Sequence, residues 1–140
     1  GGITVEGGHE LHGIEIDCSG TPDAVPILSV LGCYAQGKTV LKNIGASRLK
    51  ETDRTKSIML ELTKMGAKFE ETTDTLTIHH SKLKGTKLDG RHDHRIVMAC
   101  SVASLIAEGE SEVTDAEYAA VSFPNFFELM TSLNADIKRI

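Results

Sequence analysis

The charged stretch SRLKETDR, residues 47–54, places cations and acids side by side just ahead of a predicted helix. Lys50 and Arg54 are four positions apart, so on a helix they would share a face. Glu51, the residue after Lys50, would lie beside that face. The amino end of a helix adds partial positive charge, which together with two cations favours a phosphate or a carboxylate. One interpretation is therefore an anion site. The other is a solvated helix start in which Glu51 and Asp53 are ordinary first-turn acids.

A second charged cluster, RHDHR at residues 91–95, stands before an apolar helix that is predicted to start near Ile96. One interpretation is a helix capped by Asp93, with exposed basic neighbours. A metal site has less support, because His92 and His94 have no cysteine or carboxylate at an accepted ligand spacing. If both clusters occupy matching places in a repeated unit, a stack of such units would aim their cations at one place.

Asp23 is a third candidate, directly after Pro22 at a predicted helix start. An acid in a first helical turn is normally stabilised by the helix dipole, and spacing alone favours that role. The dipole and nearby cations would also keep the carboxylate ionised. An ionised carboxylate suits a group that accepts a proton or a hydrogen bond from a substrate hydroxyl.

Composition limits the class of protein. A chain of 140 residues, 40% apolar and 25% charged, predicts one globular domain or a piece of a larger one. The net charge of −5 argues against nucleic acid or an anionic membrane as the main partner, since such surfaces attract excess lysine and arginine. No run approaches the roughly 20 apolar residues of a membrane helix, and no secretion signal is recognisable. We therefore expect a cytoplasmic protein.

The cysteines and the first residues add two expectations. Cys18, Cys33 and Cys100 are odd in number, widely spaced and in apolar surroundings, which predicts buried thiols and no disulfide framework. The chain opens with Gly1 and Gly2 and not with methionine, which indicates a fragment of a longer protein.

The periodicity of apolar residues predicts a first βαβαββ unit over residues 13–80. Its elements, in order, are a strand from Gly13, a helix with Thr21 as its cap and Gly37 at its end, a strand over 38–44, an amphipathic helix over 52–65 stopped by Gly66, and a hairpin that turns at 72–74.

The same pattern starts again in the second half of the chain, over residues 84–140. SVASLIAEGESEVTDA repeats SVLGCYAQGKTVLKNI, and ELMTSLNADI repeats ELTKMGAKF. Met130, Leu133 and Ala135 correspond to Leu62, Met65 and Ala67 at an offset of 68 residues. Asn134 occupies the position in the second repeat that Gly66 has in the first, and both residue types tolerate positive φ. The second unit lacks its last strand, which we expect to come from elsewhere. The predicted fold class is α/β (α+β), a single piece of one lobe built by stacking βαβαββ units.

Three motifs in this order, PDA at 22–24, RLKETDR at 48–54 and HDHR at 92–95, resemble the carboxy-terminal part of the EPSP synthase family. The resemblance extends from Gly13 to about Leu133. It implies a transferase that moves the enolpyruvyl group of phosphoenolpyruvate to the 5-hydroxyl of shikimate 3-phosphate and releases phosphate. It also implies lobes of three βαβαββ units with the active site between lobes, so this chain would hold about two units of one lobe.

The resemblance also implies roles for residues where the motifs match. Asp23 and Glu51 would be catalytic, Asp23 by contacting the substrate hydroxyl as proton acceptor and Glu51 by moving protons at the enolpyruvyl carbon. The substrate contacts would be Lys50 to shikimate 3-phosphate, and Arg54, Arg95 and the neighbouring His94 to phosphoenolpyruvate. No cofactor and no metal are expected.

Two positions depart from the family pattern. Val121 stands where family members commonly carry a lysine, so one anion contact is missing. Ala46 and Ser47 stand where many members have an asparagine ahead of the RxKE stretch.

Two alternatives remain open. One is the related enolpyruvyltransferase that acts on UDP-N-acetylglucosamine, and the other is a non-catalytic α/β binding module. The KETDR and HDHR pair favours the shikimate enzyme, and the acidic charge with few aromatic residues counts against RNA binding. The partners we expect are the two small-molecule substrates and the remaining lobe of the same chain, without nucleic acid or membrane. The isolated fragment is expected to be inactive.

Overall fold

The computed structural model describes residues 1–140 and contains one four-stranded sheet, one two-stranded sheet and four α-helices. The strands are β1 (Glu15–Asp17), β2 (Lys38–Lys42), β3 (Lys68–Glu71), β4 (Thr75–His79), β5 (Lys87–Leu88) and β6 (Glu112–Val113). The helices are α1 (Val25–Tyr34), α2 (Arg54–Lys64), α3 (His94–Ile106) and α4 (Phe126–Ser132). Short 3-10 helices cover Pro22–Ala24, Gly45–Leu49 and Ala116–Val121. None of the helices combines the length and the apolar character that crossing a membrane requires.

The larger sheet has the strand order β1-β2-β4-β3. β1 and β2 are parallel, with Ile16 opposite Leu41, whereas β4 is antiparallel to both β2 and β3. Parallel neighbours need a crossover, and α1 supplies it. The chain segments that follow β1 and β2 therefore leave the sheet at the same edge.

One face of this sheet is covered by α1, which approaches it closely at Gly32. A Cβ at that position would lie 3.1 Å from the Cβ of Ile78 and 3.2 Å from the Cβ of Thr39. Contacts of 3.0–3.4 Å are tighter than ordinary Cβ packing, so the missing side chain of glycine lets the helix sit on the strands.

The larger of two hydrophobic clusters joins the two predicted repeats. Leu41, Ile58 and Leu76 from the first repeat lie in one cluster with Leu88 and Ile96 from the second, and all five are fully buried. The two repeats therefore share packing, because α1, α2 and α3 contact one another. The division into units over 13–80 and 84–140 stays a prediction.

The predicted element order of the first repeat is confirmed, including the hairpin β3–β4 and the left-handed stop at Gly66, whose φ is +98°. Three predicted details were wrong. Thr21 makes no capping bond, because Pro22 starts a 3-10 helix and α1 begins only at Val25. β2 ends at Lys42, since Asn43 takes a left-handed φ of 57° that ends the strand.

The third wrong detail is the start of α2, which is at Arg54 and not at residue 52. The side chain of Asp53 accepts a hydrogen bond from the backbone N–H of Lys56, so Asp53 is the N-cap. This cap places Arg54 at the first position of the helix.

The second repeat is less regular. β5 and β6 are parallel like β1 and β2, but each has two residues, and no antiparallel hairpin follows them. Asn134 has the expected positive φ, 65°, just after α4. The three cysteines are buried and free, and burial raises the pKa of Cys33 and Cys100 to about 12.

Candidate functional site

Arg54 lies at the centre of a cluster of charged side chains, and its own side chain is only 2% exposed. Its Nε donates to both carboxylate oxygens of Asp93, at 2.9 and 3.2 Å. Its Nη1 donates to Asp23 Oδ1 at 2.8 Å. Its Nη2 donates to Glu51 Oε2 at 2.5 Å and lies 3.2 Å from His94 Nε2. One guanidinium group therefore joins four side chains from three separate segments of the chain.

The fold explains why these segments meet. Asp23 lies in the 3-10 helix that follows β1, and residues 50–54 follow the 3-10 helix after β2. Since β1 and β2 are parallel neighbours, their following segments lie at one edge of the sheet. α3 packs against α1 and α2 and brings its own amino end, residues 93–95, to the same place.

Asp93 is the buried partner of Arg54 and also the N-cap of α3. Its side chain is 0% exposed, and it accepts from the backbone N–H of Arg95 at 2.9 Å and from Thr52 Oγ1 at 3.0 Å. Burial by itself raises the pKa of Asp93, but the hydrogen bonds from Arg54 and from the backbone of Arg95 outweigh it and lower the pKa. The interpretation of Asp93 as a cap is confirmed. Its second role, holding Arg54, was not predicted.

Asp23 is half-exposed, at 47% of its side chain, and bridges two cations. Lys50 Nζ donates to Asp23 Oδ1 at 3.1 Å, and Arg54 Nη1 donates to the same oxygen. The hydrogen bond from Lys50 is the largest cause of a lowered pKa for Asp23, with Arg54 and Arg95 adding charge–charge attraction. This carboxylate is ionised and open to solvent on one side.

Glu51 and His94 form the other side of the cluster. Glu51 is half-exposed, while His94 is buried, with its Nε2 3.2 Å from Glu51 Oε1. The backbone N–H of Glu51 lowers the pKa of its own carboxyl most, and His94 and Arg54 add to that effect. The other ring nitrogen of His94, Nδ1, forms a hydrogen bond with Ser122 Oγ.

Arg95 differs from Arg54 in having unused hydrogen-bonding capacity. Its Nε is buried and has no hydrogen-bond partner. A buried guanidinium nitrogen without an acceptor is costly unless a ligand supplies one. Lys50, 31% exposed and paired only with Asp23, is the second cation at the rim of the cluster. These two cations are the ones placed to contact an anion from solvent.

All the candidate residues named from the sequence lie in this region. Direct contacts join Asp23, Lys50, Glu51, Arg54 and His94, and Arg95 is close enough to act on the charge of Asp23. Thr52 and Ser122 were missed, because nothing in the sequence indicates that a hydroxyl group will face another loop. Val121 is exposed and precedes Ser122.

Three side chains of the cluster, Glu51, Asp93 and His94, each offer one ligand atom, and these atoms lie within 4.8 Å of one another. The guanidinium of Arg54 contacts all three at 2.5–3.2 Å. A positive charge therefore already lies among the potential ligands, which disfavours a metal ion there.

Glu61 is a further buried acid, two helical turns after Arg54, and it holds the loop that leads into α3. Its carboxylate accepts from Arg91 at 2.6 and 3.0 Å, from the backbone N–H of Asp89 at 2.9 Å and from Lys64 at 2.6 Å. Burial by itself raises the pKa of Glu61, but these hydrogen bonds outweigh it and lower the pKa. Arg91 is one of two consecutive left-handed residues in this loop, with φ of 55°.

Comparison with known proteins places this chain in a family. The family model described as EPSP synthase (3-phosphoshikimate 1-carboxyvinyltransferase) matches residues 1–130. A 3-phosphoshikimate 1-carboxyvinyltransferase of Methanocaldococcus jannaschii is 48% identical over 137 residues, which cover 97% of this chain and 32% of that protein. Another 3-phosphoshikimate 1-carboxyvinyltransferase, from Halorubrum lacusprofundi, is also 48% identical, and the match covers 29% of that protein.

Solved structures agree with the sequence matches. An EPSP synthase from Acinetobacter baumannii has a TM-score of 0.80 and 32% identity, over 88% of this chain and 30% of the other. The enolpyruvyl transferase NikO from Streptomyces tendae shares the fold, with a TM-score of 0.71 and 21% identity. That match covers 92% of this chain and 29% of NikO. The chain spans about a third of the length of the curated relatives it matches. With its family model matched over residues 1–130, the chain belongs to the EPSP synthase family.

Proposed function

We propose that this chain supplies one part of the active site of an enolpyruvyl transferase. In the complete protein the enolpyruvyl group of phosphoenolpyruvate moves to the 5-hydroxyl of shikimate 3-phosphate, giving 5-enolpyruvylshikimate 3-phosphate and phosphate. The observation that supports this proposal most strongly is the convergence on Arg54 of Asp23, Glu51 and His94, which come from three separate segments.

The reaction needs groups that can exchange protons and groups that hold anions. An ionised carboxylate open to solvent, Asp23, accepts the proton of the attacking 5-hydroxyl. The bound anion phosphoenolpyruvate raises the pKa of Glu51 by like-charge repulsion, so that Glu51 takes up a proton. With His94 beside it, Glu51 then gives that proton to the enolpyruvyl carbon and takes it back during elimination. In the addition, a C–O bond forms between the 5-oxygen of shikimate 3-phosphate and the enolpyruvyl group. In the elimination, the C–O bond to phosphate breaks, and the departing phosphate takes up the proton that Asp23 accepted.

Phosphoenolpyruvate carries a phosphate and a carboxylate, so it needs several cations. Arg95, with a free buried Nε, holds one of these groups. Arg54 holds the acids in place through its hydrogen bonds to Asp23, Glu51 and Asp93. The contact of Arg54 with phosphoenolpyruvate stays a prediction. Lys50 contacts shikimate 3-phosphate. The remaining cations come from the other lobe of the same chain, and no cofactor takes part.

The test is the activity of the complete protein with shikimate 3-phosphate and phosphoenolpyruvate, followed by phosphate release. We expect turnover with this pair and none with UDP-N-acetylglucosamine as the acceptor. In the same assay Asp23→Asn, which keeps the shape of the side chain but removes the proton acceptor, is expected to lower kcat by about 10²-fold or more. Turnover with the UDP-sugar in place of shikimate 3-phosphate would overturn the proposal.

A further inference from the structure

Arg48 is the one cation of the SRLKETDR stretch that forms no ion pair with the charged cluster described above. Its side chain is 20% exposed, and its Nη1 donates to Asp53 Oδ2 at 3.3 Å. Its Nη2 lies 2.7 Å from Glu71 Oε1 and donates to the backbone carbonyl of Thr72 at 3.1 Å. Its Nε donates to the backbone carbonyl of Thr73 at 3.2 Å. Each guanidinium nitrogen therefore has an acceptor within the protein, so the group is placed to hold parts of the fold together and not to bind a substrate anion.

Arg48 connects the 3-10 helix that follows β2 to the β3–β4 hairpin. Glu71 is the last residue of β3, and residues 72–74 form the turn. Asp74 in this turn accepts from the backbone N–H of Gly45, the first residue of the 3-10 helix, at 3.1 Å. The 3-10 helix is therefore fixed to the hairpin at its start by Asp74 and near its end by Arg48.

The loop between Arg48 and Asp53 carries two of the candidate functional side chains, those of Lys50 and Glu51. None of the backbone N–H groups of residues 50–52 donates to a backbone carbonyl. Main-chain hydrogen bonds therefore do not fix the middle of this loop, and its position depends on its side chains and on how its two ends are held. The hydrogen bond between Arg48 Nη1 and Asp53 Oδ2 joins these ends directly.

We propose that Arg48 is a positioning residue, which closes the loop 48–53 and thereby sets the places of Lys50 and Glu51 in the site. An arginine suits this role because its rigid planar fork reaches several acceptors at fixed angles, whereas the single ammonium of a lysine does not. The consequence for catalysis rests on the proposed function, in which Lys50 contacts shikimate 3-phosphate and Glu51 exchanges a proton. A displacement of about 1 Å in such a group costs up to about 10²-fold in rate.

Asp53→Asn isolates the bond that closes the loop. Asp53 uses Oδ1 to cap α2, by accepting from the backbone N–H of Lys56 at 2.9 Å, and it uses Oδ2 to accept from Arg48. Asparagine caps helices about as well as aspartate, but its side chain has only one acceptor oxygen. With that oxygen in the cap, the NH₂ group of the asparagine faces the N–H groups of Arg48, and the closing bond is lost.

The closing of the loop is measured by ¹⁵N relaxation of the backbone amides in the complete protein. For wild type we expect order parameters of about 0.85 at residues 50–52, as in a rigid backbone, and values near or below about 0.6 in Asp53→Asn and in Arg48→Lys. Glu71→Gln is the matched control, because it keeps an acceptor oxygen for Arg48 and leaves the bond to Asp53 intact, so wild-type values are expected there. Order parameters below about 0.6 in wild type, or unchanged values in either variant of the closing bond, would overturn the proposal.

Kinetics of the complete protein test the consequence for catalysis. Asp53→Asn and Arg48→Lys are each expected to lower kcat about tenfold and to raise the KM for shikimate 3-phosphate about fivefold. The KM for phosphoenolpyruvate should stay within about twofold, because Arg95 lies outside the loop. Glu71→Gln should keep kcat and both KM values within about twofold of wild type.

A purely structural role would give a different pattern. Loss of folded protein lowers kcat by reducing the active fraction and leaves both KM values unchanged. That result, or wild-type kinetics in either variant of the closing bond, would overturn the catalytic part of the inference. If the wild-type protein does not turn over shikimate 3-phosphate at all, the proposed function fails, while the order parameters still decide whether Arg48 closes the loop.

Discussion

At the scale of the residue, the site depends on a buried cation surrounded by acids. Arg54 is 2% exposed and contacts three carboxylates, of which Asp93 is also fully buried. Removal of one partner from a buried charge pair leaves the other uncompensated, which costs far more than the loss of a pair on the surface. The same side chain that organises the site therefore also stabilises the fold.

Arg54→Gln tests this dependence. Because it leaves buried Asp93 without its cation, we expect the free energy of unfolding to fall by about 3–5 kcal/mol. Urea denaturation followed by circular dichroism measures it. Arg139→Gln, at an exposed position, is the matched control and should change stability by less than about 0.5 kcal/mol. Equal effects of the two substitutions would contradict the central place of Arg54.

The lowered pKa of Asp93 predicts a pH dependence. Because folding lowers this pKa, the ionised carboxylate contributes stability above its unfolded-state pKa of about 3.9, and that contribution is lost as the pH falls through the lower folded-state pKa. Between about pH 5 and pH 2, wild type should therefore lose more stability than Asp93→Asn, which has no such group to titrate. Urea midpoints along this range measure the slope, with exposed Asp136→Asn as the control. Parallel curves for wild type and Asp93→Asn would refute the assignment.

At the scale of the element, the loop between β5 and α3 is held in an unfavourable conformation. Arg91 and His92 have φ of 55° and 52°, a region that costs non-glycine residues of the order of 1 kcal/mol or more each. Glu61 offsets this cost by accepting from Arg91 and from the backbone N–H of Asp89. Since Asp93 comes directly after this loop, α2 fixes the start of α3 through Glu61.

Glu61→Gln should therefore loosen the loop. The amide keeps the shape of the side chain but loses the charge that pairs with Arg91, so we expect a loss of about 1–3 kcal/mol in the free energy of unfolding. Hydrogen exchange should increase at the backbone amides of Asp89 and Asp93, which lie on either side of the strained pair. Lys64→Gln, which removes the half-exposed partner of Glu61, is the control and should cost less than about 1 kcal/mol. Exchange that rises equally in both variants would show that Glu61 does not hold the loop.

Elements with strong local signals were predictable from the sequence, and those set by contacts were not. α2 and the β3–β4 hairpin followed from apolar spacing and from Gly66. The end of β2 depended instead on the left-handed φ of Asn43, whose side chain donates to Asp17 from the neighbouring strand. Apolar periodicity does not encode such a contact.

The candidate site shows the same limit. The residue types and their positions ahead of two helices allowed an anion site as one of two interpretations, and the resemblance to a family gave each of them a role. The sequence could not show that Arg54 would be buried and fully paired, because its partner Asp93 is 39 positions away. The contact between Ser122 and His94 likewise depends on how the 3-10 helix 116–121 packs on α3.

At the scale of the whole molecule, the cluster is electrically balanced. Its three cations, Lys50, Arg54 and Arg95, face three carboxylates, those of Asp23, Glu51 and Asp93. Two phosphorylated, multiply charged substrates need more positive charge than such a cluster offers, and the chain spans about a third of the length of its relatives. The proposed function therefore places further substrate-binding groups outside these residues.

The isolated chain is accordingly expected to show no turnover of shikimate 3-phosphate and phosphoenolpyruvate, because catalysis by positioning requires the complete set of groups. Phosphate release is the measurement, with the complete protein assayed in parallel as the positive control. Turnover by the isolated chain at a rate near that of the complete protein would show that these residues form a site by themselves.

The candidate site depends most on one contact between the two repeats, from Arg54 at the start of α2 to Asp93 at the start of α3. A double-mutant cycle on the free energy of unfolding, with Arg54→Gln, Asp93→Asn and the double variant, measures it directly. We predict a coupling free energy of about 1–3 kcal/mol, because each side chain is the buried partner of the other. Additive effects, with a coupling below about 0.3 kcal/mol, would show that the two side chains do not interact and would contradict the arrangement of the site around Arg54.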